Sequence, residues 1–425
     1  MGPIPISLLP QNTAMGEDGR VTIGGCDLVE LAEEHGTPLF VYSEAELRAR
    51  CREAVAAFGD GVAYATKAFS TVEMVRLAYE EGMNLDVATG GELYVAHEAG
   101  IPGDRIVVHG NNKSVGELRA ALELGAGRIV IDSFDEMDRI EKLVFAGMPP
   151  PSVLVRVTPG VEAHTHEYLR TGVADSKFGF GLATGDAERA IAQAGASEAM
   201  ELVGIHAHIG SQVFSVDSFR KAIKVLAPLV VSSEVEEFSI GGGLGVAYIT
   251  GEEAPTITEW ADTVKSVCAK QGIEARVVAE PGRAIVAQAA VTLYTVGTIK
   301  EIPDVRTYVA VDGGMSDNPR PVLYGSGYEA FLPRDATAPR PLHVRIVGKH
   351  CESGDVIIDD AAVPADLAVG DVLATPVTGA YGYSMGSNYN MVRRPAVVFV
   401  GHGEARVVVR RETYVDLLRR EVPLS

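Results

Sequence analysis

The sequence predicts an α/β protein with a β-rich addition: a (β/α)8 TIM-like barrel and a second, C-terminal β domain. Between about residues 39 and 285, short apolar runs bounded by polar or glycine-rich turns alternate with helical patterns, which is typical of repeated strand–helix units. Beyond this region the segments become strand-like and are separated by Gly/Pro turns, which indicates a β domain. We therefore expect three parts, residues 1–38, 39–285 and 286–425.

The N-terminal part contains a weak strand, Val21–Ile23, and an amphipathic helix, Leu28–His35. We expect it to pack with the C-terminal β domain, to which it would add a strand. In the second part the predicted strands are residues 63–67, 85–89, 106–110, 128–132, 153–158, 202–209, 237–241 and 276–280. Eight parallel strands are the number that closes a barrel.

Several of the following helices begin with Ser/Thr-x-x-Glu, which predicts capping boxes because the hydroxyl and the carboxylate satisfy first-turn amides. The four pairs are Ser70/Glu73, Ser114/Glu117, Ser133/Glu136 and Thr256/Glu259. In the C-terminal domain we predict strands at residues 308–312, 344–347, 372–377, 396–400 and 406–410, and a helix at 413–420.

Composition excludes several classes of partner. A net charge of −20 repels phosphate backbones and anionic lipid heads, so no nucleic acid and no membrane surface is expected as a partner. No leader pattern opens the chain, and the longest apolar-rich run, 284–299, is too polar and short to cross a bilayer. The four scattered cysteines lack CxxC spacing, which argues against disulfides and a zinc knuckle. We expect a cytoplasmic protein with reduced thiols, three of them buried.

The stretch Tyr64–Ser70 predicts a short apolar strand that ends on Lys67 and runs into a helix. An amine at a strand end under apolar cover is placed to lose its proton and attack a carbonyl, which is how a lysine binds an aldehyde cofactor. Alone this pattern is weak, since lysines at strand ends are usually solvated. The other strand ends decide the interpretation.

The last two barrel strands carry a candidate anion site. In (β/α)8 barrels the active site lies at the carboxyl ends of the strands, and phosphate is often bound after strands seven and eight. The seventh strand runs into Gly241–Gly243, and glycines let backbone amides approach an anion closely. The eighth ends in Glu280, Gly282 and Arg283, which adds a carboxylate and a guanidinium.

The sixth strand ends with His206 and His208, followed by Ser211. Residues two apart share a strand face, so both rings should point into the barrel mouth. They could be core histidines or a metal pair, but a metal site wants further His or Asp ligands at other strand ends. The loop pair His164 and His166 is the only other close pair, so we predict no metal and a histidine lying flat on a planar ring.

These groups together fit pyridoxal 5′-phosphate. Lys67 would bind its aldehyde, His208 would cover its ring, and the glycines with Ser211 would hold its phosphate. Glu280 at the ring nitrogen would keep that nitrogen protonated, which makes the ring an electron sink.

Three polar stretches of the C-terminal domain are unlike core segments. The first runs from Asp312 to Pro321 and is followed by Tyr324, the second is His350–Asp355 around a lone cysteine, and the third is Gly379–Asn390. They could be exposed loops, but their length and their glycine and tyrosine content favour a site.

At this point the chain resembles the bacterial diaminopimelate decarboxylases of the barrel-type pyridoxal-phosphate family, which also includes ornithine and arginine decarboxylases. The resemblance covers nearly the whole chain. It rests on motifs in order: Tyr-Ala-x-Lys-Ala, His-x-His-Ile-Gly-Ser-Gln, Gly-Gly-Gly-Leu-Gly, Glu-Pro-Gly-Arg, Cys-Glu-Ser-Gly-Asp and Ser-Asn-Tyr-Asn.

The resemblance implies decarboxylation of meso-2,6-diaminopimelate to L-lysine, with roles for individual residues. The implied catalytic residues are Lys67, His208 and Cys351, the last as proton donor. The implied cofactor-binding residues are Lys67, Asp86, His208, Ser211, Gly242, Gly243, Glu280, Gly282, Arg283 and Tyr381, with Glu92 nearby. The implied substrate-binding residues are Arg283, Arg320, Tyr324, Glu352 and Tyr381. A homodimer with shared active sites is also implied, in which Cys351 and Glu352 enter the partner's site.

The sequence departs from the family at three places: Phe69, Lys349-His350 and Arg393-Arg394-Pro395. None is a reacting group, so they bear on substrate preference alone. The alternatives are a decarboxylase for D-ornithine, D-lysine or carboxynorspermidine, or a non-catalytic pyridoxal-phosphate-binding homologue. A racemase would want a tyrosine base in place of the cysteine segment, and a metal-dependent barrel hydrolase is the remaining alternative.

Overall fold

The computed structural model describes residues 1–161 and 175–422. The chain forms two compact units. The barrel unit comprises Arg50–Val246 and Glu253–Ile285, and the β unit comprises Met1–Ala49, Ala247–Glu252 and Val286–Ser425. The barrel unit begins at Arg50, whereas the sequence predicted a boundary at residue 39.

The strands in chain order are β1 (Thr13–Met15), β2 (Val21–Ile23), β3 (Cys26–Asp27), β4 (Leu39–Ser43), β5 (Ala63–Ala65), β6 (Asn84–Val87), β7 (Ile106–Val108), β8 (Arg128–Ile131), β9 (Ser152–Thr158), β10 (Phe180–Gly181), β11 (Glu201–His206), β12 (Glu237–Ser239), β13 (Arg276–Val278), β14 (Ala290–Ile302), β15 (Arg306–Val311), β16 (Leu342–Val347), β17 (Val356–Val363), β18 (Val372–Pro376), β19 (Ala396–Gly401) and β20 (Glu404–Val409).

The α-helices are α1 (Leu28–His35), α2 (Glu44–Phe58), α3 (Val72–Glu80), α4 (Gly90–Glu98), α5 (Val115–Glu123), α6 (Phe134–Phe145), α7 (Asp186–Ala196), α8 (Val216–Ser232), α9 (Ile257–Lys270), α10 (Arg283–Val286), α11 (Arg320–Tyr324) and α12 (Tyr414–Leu418). Short 3-10 helices span Ile6–Leu8, Thr66–Ala68, Gly103–Arg105 and Tyr389–Met391.

All eight predicted barrel strands are present, in the parallel order β5-β6-β7-β8-β9-β11-β12-β13. Backbone hydrogen bonds close the barrel between its last and first strands, from Ala63 N to Ala279 O (3.0 Å) and from Ala65 N to Pro281 O (3.2 Å). The predicted barrel class is confirmed. Most strands end one to three residues before their predicted ends, because those last residues leave the ladder and form the barrel mouth.

Two of the four predicted capping boxes are present, Ser114/Glu117 and Thr256/Glu259. Ser133 caps α6 through the Glu136 amide, but the Glu136 carboxylate binds the buried Lys113 ammonium (2.7 Å). The box predicted at Ser70 is wrong, since α3 is capped by Thr71. In the first case the carboxylate binds a lysine from elsewhere in the chain instead of the helix end. In the second case the capping residue lies one position later than predicted.

The β unit contains two sheets. One is the antiparallel sheet β1-β2-β3, and the other has the order β17-β16-β15-β14-β4-β19-β20, with β18 paired to β14. Strand β4 lies in the larger sheet, between β14 and β19, although its residues were predicted as part of the barrel. The weak strand Val21–Ile23 is β2 of the smaller sheet. Strands β14 and β17 and helix α11 were not among the predicted elements.

The wall of the barrel unit is anchored by aromatic packing. Trp260 on α9 is fully buried, with its ring 5.0 Å from Phe58 and 5.3 Å from Phe219. Such pairs add about 0.5–1.5 kcal/mol beyond the area they bury.

In the described ranges no helix is both long and apolar enough to cross a membrane.

Candidate active site

Lys67 lies in the 3-10 turn that follows β5. The turn is fixed by two buried hydrogen bonds, from Tyr64 Oη to Phe69 O (2.8 Å) and from Thr66 Oγ1 to Asp86 O (2.9 Å). The Lys67 side chain is exposed, so the apolar cover expected from the sequence is wrong. The amine stands accessible on a rigid turn at the carboxyl end of the barrel strands.

Glu280 lies two residues beyond β13 and is buried. Its Oε2 is 2.9 Å from His206 Nε2, and its Oε1 accepts a hydrogen bond from Ser239 Oγ (2.8 Å). Burial opposes ionisation of this carboxyl, but His206 and His109 hold its pKa well below the usual range. Glu280 is therefore a carboxylate in the interior of the barrel unit.

His109 is a residue of the candidate site that the sequence reasoning missed. It follows β7, is buried, and places Nε2 3.5 Å from Glu280 Oε1 and 3.6 Å from Asp86 Oδ1. Burial disfavours a charged imidazole, but the carboxylates of Asp86 and Glu280 raise the pKa of His109 above its ordinary value. The available signal was a histidine at a strand end, directly before a glycine.

His208 is half-buried and accepts a hydrogen bond at Nδ1 from the backbone N–H of Gly242 (3.1 Å). An accepting Nδ1 carries no proton, so the ring is neutral. Burial and then the cations Lys67 and Arg156 lower the pKa of His208 well below its ordinary value. A neutral imidazole beside the lysine suits contact with a flat ring.

The glycine run is required by backbone packing. A Cβ on Gly242 would lie 2.3 Å from Glu280 O, and one on Gly243, whose φ is +104°, would lie 2.0 Å from Gly210 O. Because the Gly242 amide already binds His208, it is not available for an anion in this arrangement. Gly282 is close-packed too, with its Cβ position 3.0 Å from Ala65.

Arg283 begins α10, is buried, and donates from Nη2 to Ser211 Oγ (2.9 Å). This pair supplies the guanidinium and hydroxyl expected for a phosphate. The barrel unit thus holds an accessible amine, a neutral imidazole, a buried carboxylate and a positively charged site that can bind an anion. These groups fit a ligand with an aldehyde, a ring nitrogen and a phosphate.

The other predicted site residues belong to the β unit. Cys351 is exposed, whereas Cys26, Cys51 and Cys268 are buried, as expected. The Cys351 N–H donates to Asn390 Oδ1 (3.2 Å). Glu352 is exposed and is hydrogen-bonded by the Tyr389 hydroxyl.

His350 supports the same turn. Its Nδ1 lies 3.2 Å from Asn390 Oδ1, and its Nε2 lies 2.8 Å from Ser316 Oγ. Since an amide oxygen only accepts, Nδ1 carries a proton and donates. His350, one of the residues at which the sequence departs from the family pattern, is therefore a buried, hydrogen-bonded side chain that ties the Cys351 turn to Asn390.

Arg320 is buried in α11, with its guanidinium carbon 4.2 Å from the Tyr248 ring centroid and a 2.6 Å hydrogen bond to Tyr328 Oη. Its Nε is buried and has no hydrogen-bond partner in residues 1–161 and 175–422. Tyr324 and Tyr381 are half-buried. Tyr248 and Tyr328 were missed by the sequence reasoning because aromatic residues scattered in loops carry no distinctive pattern.

The structure brings the predicted residues of the barrel unit together and places the rest in the β unit. The barrel set is Lys67, Asp86, His208, Ser211, Gly242, Gly243, Glu280, Gly282 and Arg283, and the β-unit set is Arg320, Tyr324, Cys351, Glu352 and Tyr381. His164 and His166 lie outside the described residues.

Comparisons with known proteins identify the family of the chain. A family model described as pyridoxal-dependent decarboxylase, pyridoxal binding domain, matches residues 44–287. Diaminopimelate decarboxylase from Mycobacterium tuberculosis is 47% identical, covering 97% of both chains, and that from Bacillus subtilis is 47% identical, covering 96% of this chain and 97% of the relative.

Solved structures are similar over the same length. Diaminopimelate decarboxylase from M. jannaschii, in co-complex with L-lysine, has a TM-score of 0.89 at 34% identity, covering 97% of this chain and 98% of that one. The Helicobacter pylori enzyme, also complexed with L-lysine, has a TM-score of 0.84 at 30% identity, covering 92% and 98%.

Proposed function

We propose that this chain, which belongs to the pyridoxal-dependent decarboxylase family, releases carbon dioxide from meso-2,6-diaminopimelate and yields L-lysine. Its cofactor is pyridoxal 5′-phosphate. The observation that carries the proposal is Glu280, a buried carboxylate that His206 and His109 keep ionised, in the unit that presents Lys67. The relatives named above supply the substrate.

When bound, the cofactor supplies an aldehyde for an amine and a protonated ring that accepts the electron pair left by carbon dioxide. Lys67 would hold the aldehyde before substrate arrives. Glu280 would retain the proton on the ring nitrogen, and neutral His208 would lie on the ring face. Ser211, Gly243 and Arg283 would bind the phosphate, with the Gly242 amide left to orient His208.

The proton that completes the reaction comes from Cys351 in this proposal. The thiol S–H bond breaks, the proton passes to the α-carbon, and the thiolate regains a proton from solvent. The exposure of Cys351 and Glu352 supports a homodimer in which both act in the partner's site. Light scattering of the purified protein tests this, and a monomer at working concentration would contradict it.

Substrate recognition would use the β unit. The far end of meso-2,6-diaminopimelate carries a second carboxylate and a second amine, which suit a guanidinium and a carboxylate. Arg320 offers a buried cation with an unpaired Nε among the described residues, and Glu352 offers the anion. The proposed substrate-binding set is completed by Arg283, Tyr324 and Tyr381.

We also propose that the enzyme is located in the cytoplasm.

The decisive experiment measures carbon dioxide release by the purified protein with pyridoxal phosphate and a panel of substrates. We expect meso-2,6-diaminopimelate to exceed D-lysine, D-ornithine, arginine and carboxynorspermidine. Preference for another member would replace the substrate and keep the cofactor. Cofactor binding without release from any of them would indicate a non-catalytic homologue.

A further inference from the structure

His109 and His206 contact the same carboxylate from opposite oxygens. His206 Nε2 lies 2.9 Å from Glu280 Oε2, and His109 Nε2 lies 3.5 Å from Oε1. The two rings meet edge to face with centroids 5.0 Å apart. All three side chains are buried, so their protonation states matter energetically.

The geometry assigns different states to the two histidines. A carboxylate only accepts, so His206 donates from Nε2. Its Nδ1 is buried without a hydrogen-bond partner in the part of the chain that the structure describes. A second proton there would be a buried, unsatisfied donor, which costs about 1–3 kcal/mol or more. Burial accordingly lowers the pKa of His206, and the ring is neutral.

His109 has different surroundings. Its Nε2 also makes no hydrogen bond in the described part of the chain, but it stands between the carboxylates of Glu280 and Asp86, at 3.5 and 3.6 Å, so that two anions stabilise a proton there. The other charged groups near it are Arg156 and its partner Asp132, 3.4 Å apart, and the neutral His206. Two anions facing one ring favour the imidazolium, and they raise the pKa of His109.

We propose that His109 and His206 are positioning residues that fix Glu280 as an oriented anion toward the cofactor's ring nitrogen. Neutral His206 sets the direction of the carboxylate, and cationic His109 keeps its proton off. The ring nitrogen, and not Glu280, then retains the proton that makes the ring an electron sink. The proposal rests on the proposed function and deepens it.

The test reads the ring nitrogen directly, by the ¹⁵N chemical shift of ¹⁵N-labelled pyridoxal phosphate bound to the enzyme. In wild type we expect a protonated nitrogen across neutral pH. In His109→Gln, which loses the charge, and in His206→Leu, which loses the donor, the protonation midpoint should fall by about one pH unit or more. His206→Gln keeps an N–H donor and should restore the wild-type midpoint.

Glu280→Gln is the reference for a lost anion, and Ser239→Ala is the matched control that removes a hydrogen bond to the same carboxylate without removing a titratable group. Wild-type midpoints in both histidine variants, with a lowered midpoint in Glu280→Gln, would overturn the proposal. Because no substrate is added, failure of the decarboxylase assay would leave this result interpretable.

A second measurement avoids variants that fail to fold. Side-chain ¹⁵N spectra of the cofactor-free wild-type protein at neutral pH should show His206 with one proton, on Nε2, and His109 with two. A neutral His109 would contradict the proposal. So would a Zn²⁺ ion retained stoichiometrically after dialysis, since the three ligand atoms lie within 4.8 Å of one another and a metal would occupy the carboxylate.

Discussion

The barrel mouth and the Cys351 turn prepare their chemical groups by opposite means. In the barrel unit, Glu280 and His109 are buried and hydrogen-bonded or paired, and their pKa values are shifted by neighbouring charges. In the β unit the Cys351 thiol is exposed, and only the backbone around it is fixed, through His350 and Asn390. A cofactor held throughout the reaction gains from a preorganised, dry environment, whereas a group that meets a separate molecule needs access.

The largest effect on lysine formation is expected at Lys67, the exposed residue of the barrel set. Lys67→Ala removes the amine proposed to hold the cofactor, so lysine formation should fall by more than the roughly 10²–10⁴-fold of a lost general acid. Cofactor absorbance and carbon dioxide release measure this. Lys221 is an exposed lysine on α8, and Lys221→Ala is the control, which should keep wild-type absorbance and carbon dioxide release. Full turnover in Lys67→Ala would contradict the proposed role of Lys67.

Cys351→Ala should be next in size. It removes the proposed proton donor without disturbing a buried group, so lysine formation should fall by about 10²–10⁴-fold while cofactor affinity and melting temperature stay at wild-type values. Cofactor titration and turnover are compared in one preparation. If cofactor affinity falls with turnover, the two regions are not separable as described.

A smaller, substrate-specific effect is expected at Arg320. Arg320→Lys loses stacking on Tyr248 and the fork geometry of the guanidinium, so KM for meso-2,6-diaminopimelate should rise by about 10–100-fold, the equivalent of a charged hydrogen bond. D-Lysine, which lacks the second carboxylate, should lose nothing. Tyr328→Phe removes the 2.6 Å hydrogen bond to Arg320 and keeps the ring, so it should give a weaker form of the same pattern. Equal losses on both substrates would contradict this role.

The last effect concerns the stability of the β unit, not turnover. Burial raises the pKa of Asp317 to about 7, although Tyr294 Oη (2.7 Å) and the Gly314 amide (2.9 Å) donate to it. Since the folded state then binds a proton that the unfolded state releases near pH 4, the free energy of unfolding should decrease as pH rises from about 4 to 7, by up to about 1.4 kcal/mol per pH unit.

Denaturant unfolding at several pH values measures this slope, with Asp317→Asn as the comparison. The variant should lose the slope and keep the hydrogen bonds that a neutral side chain can make. An unchanged slope in Asp317→Asn would assign the pH dependence to another group and remove this contrast between the units.

Much of the fold could be predicted because it depends on local sequence patterns. The period of apolar runs and the turn residues located the eight barrel strands to within a few residues. The sequence could also predict Lys67, His208 and Glu280 as neighbours, because the carboxyl ends of parallel strands gather at one edge. The motifs in order gave the family, which the comparisons confirm.

Local sequence patterns could not predict which strands and side chains pair when the partners are distant in sequence. Strand β4 joins β14 and β19 in the other unit, because hydrogen-bonding strand edges do not record which neighbour they will meet. Glu136 leaves its capping box for Lys113, because a buried ammonium needs a carboxylate more than a helix end does. The sequence by itself predicted a carboxylate and a lysine at the barrel mouth. Only the tertiary structure showed that His109 lies beside Asp86 and Glu280, because those carboxylates follow other strands and no local pattern around His109 records the contact.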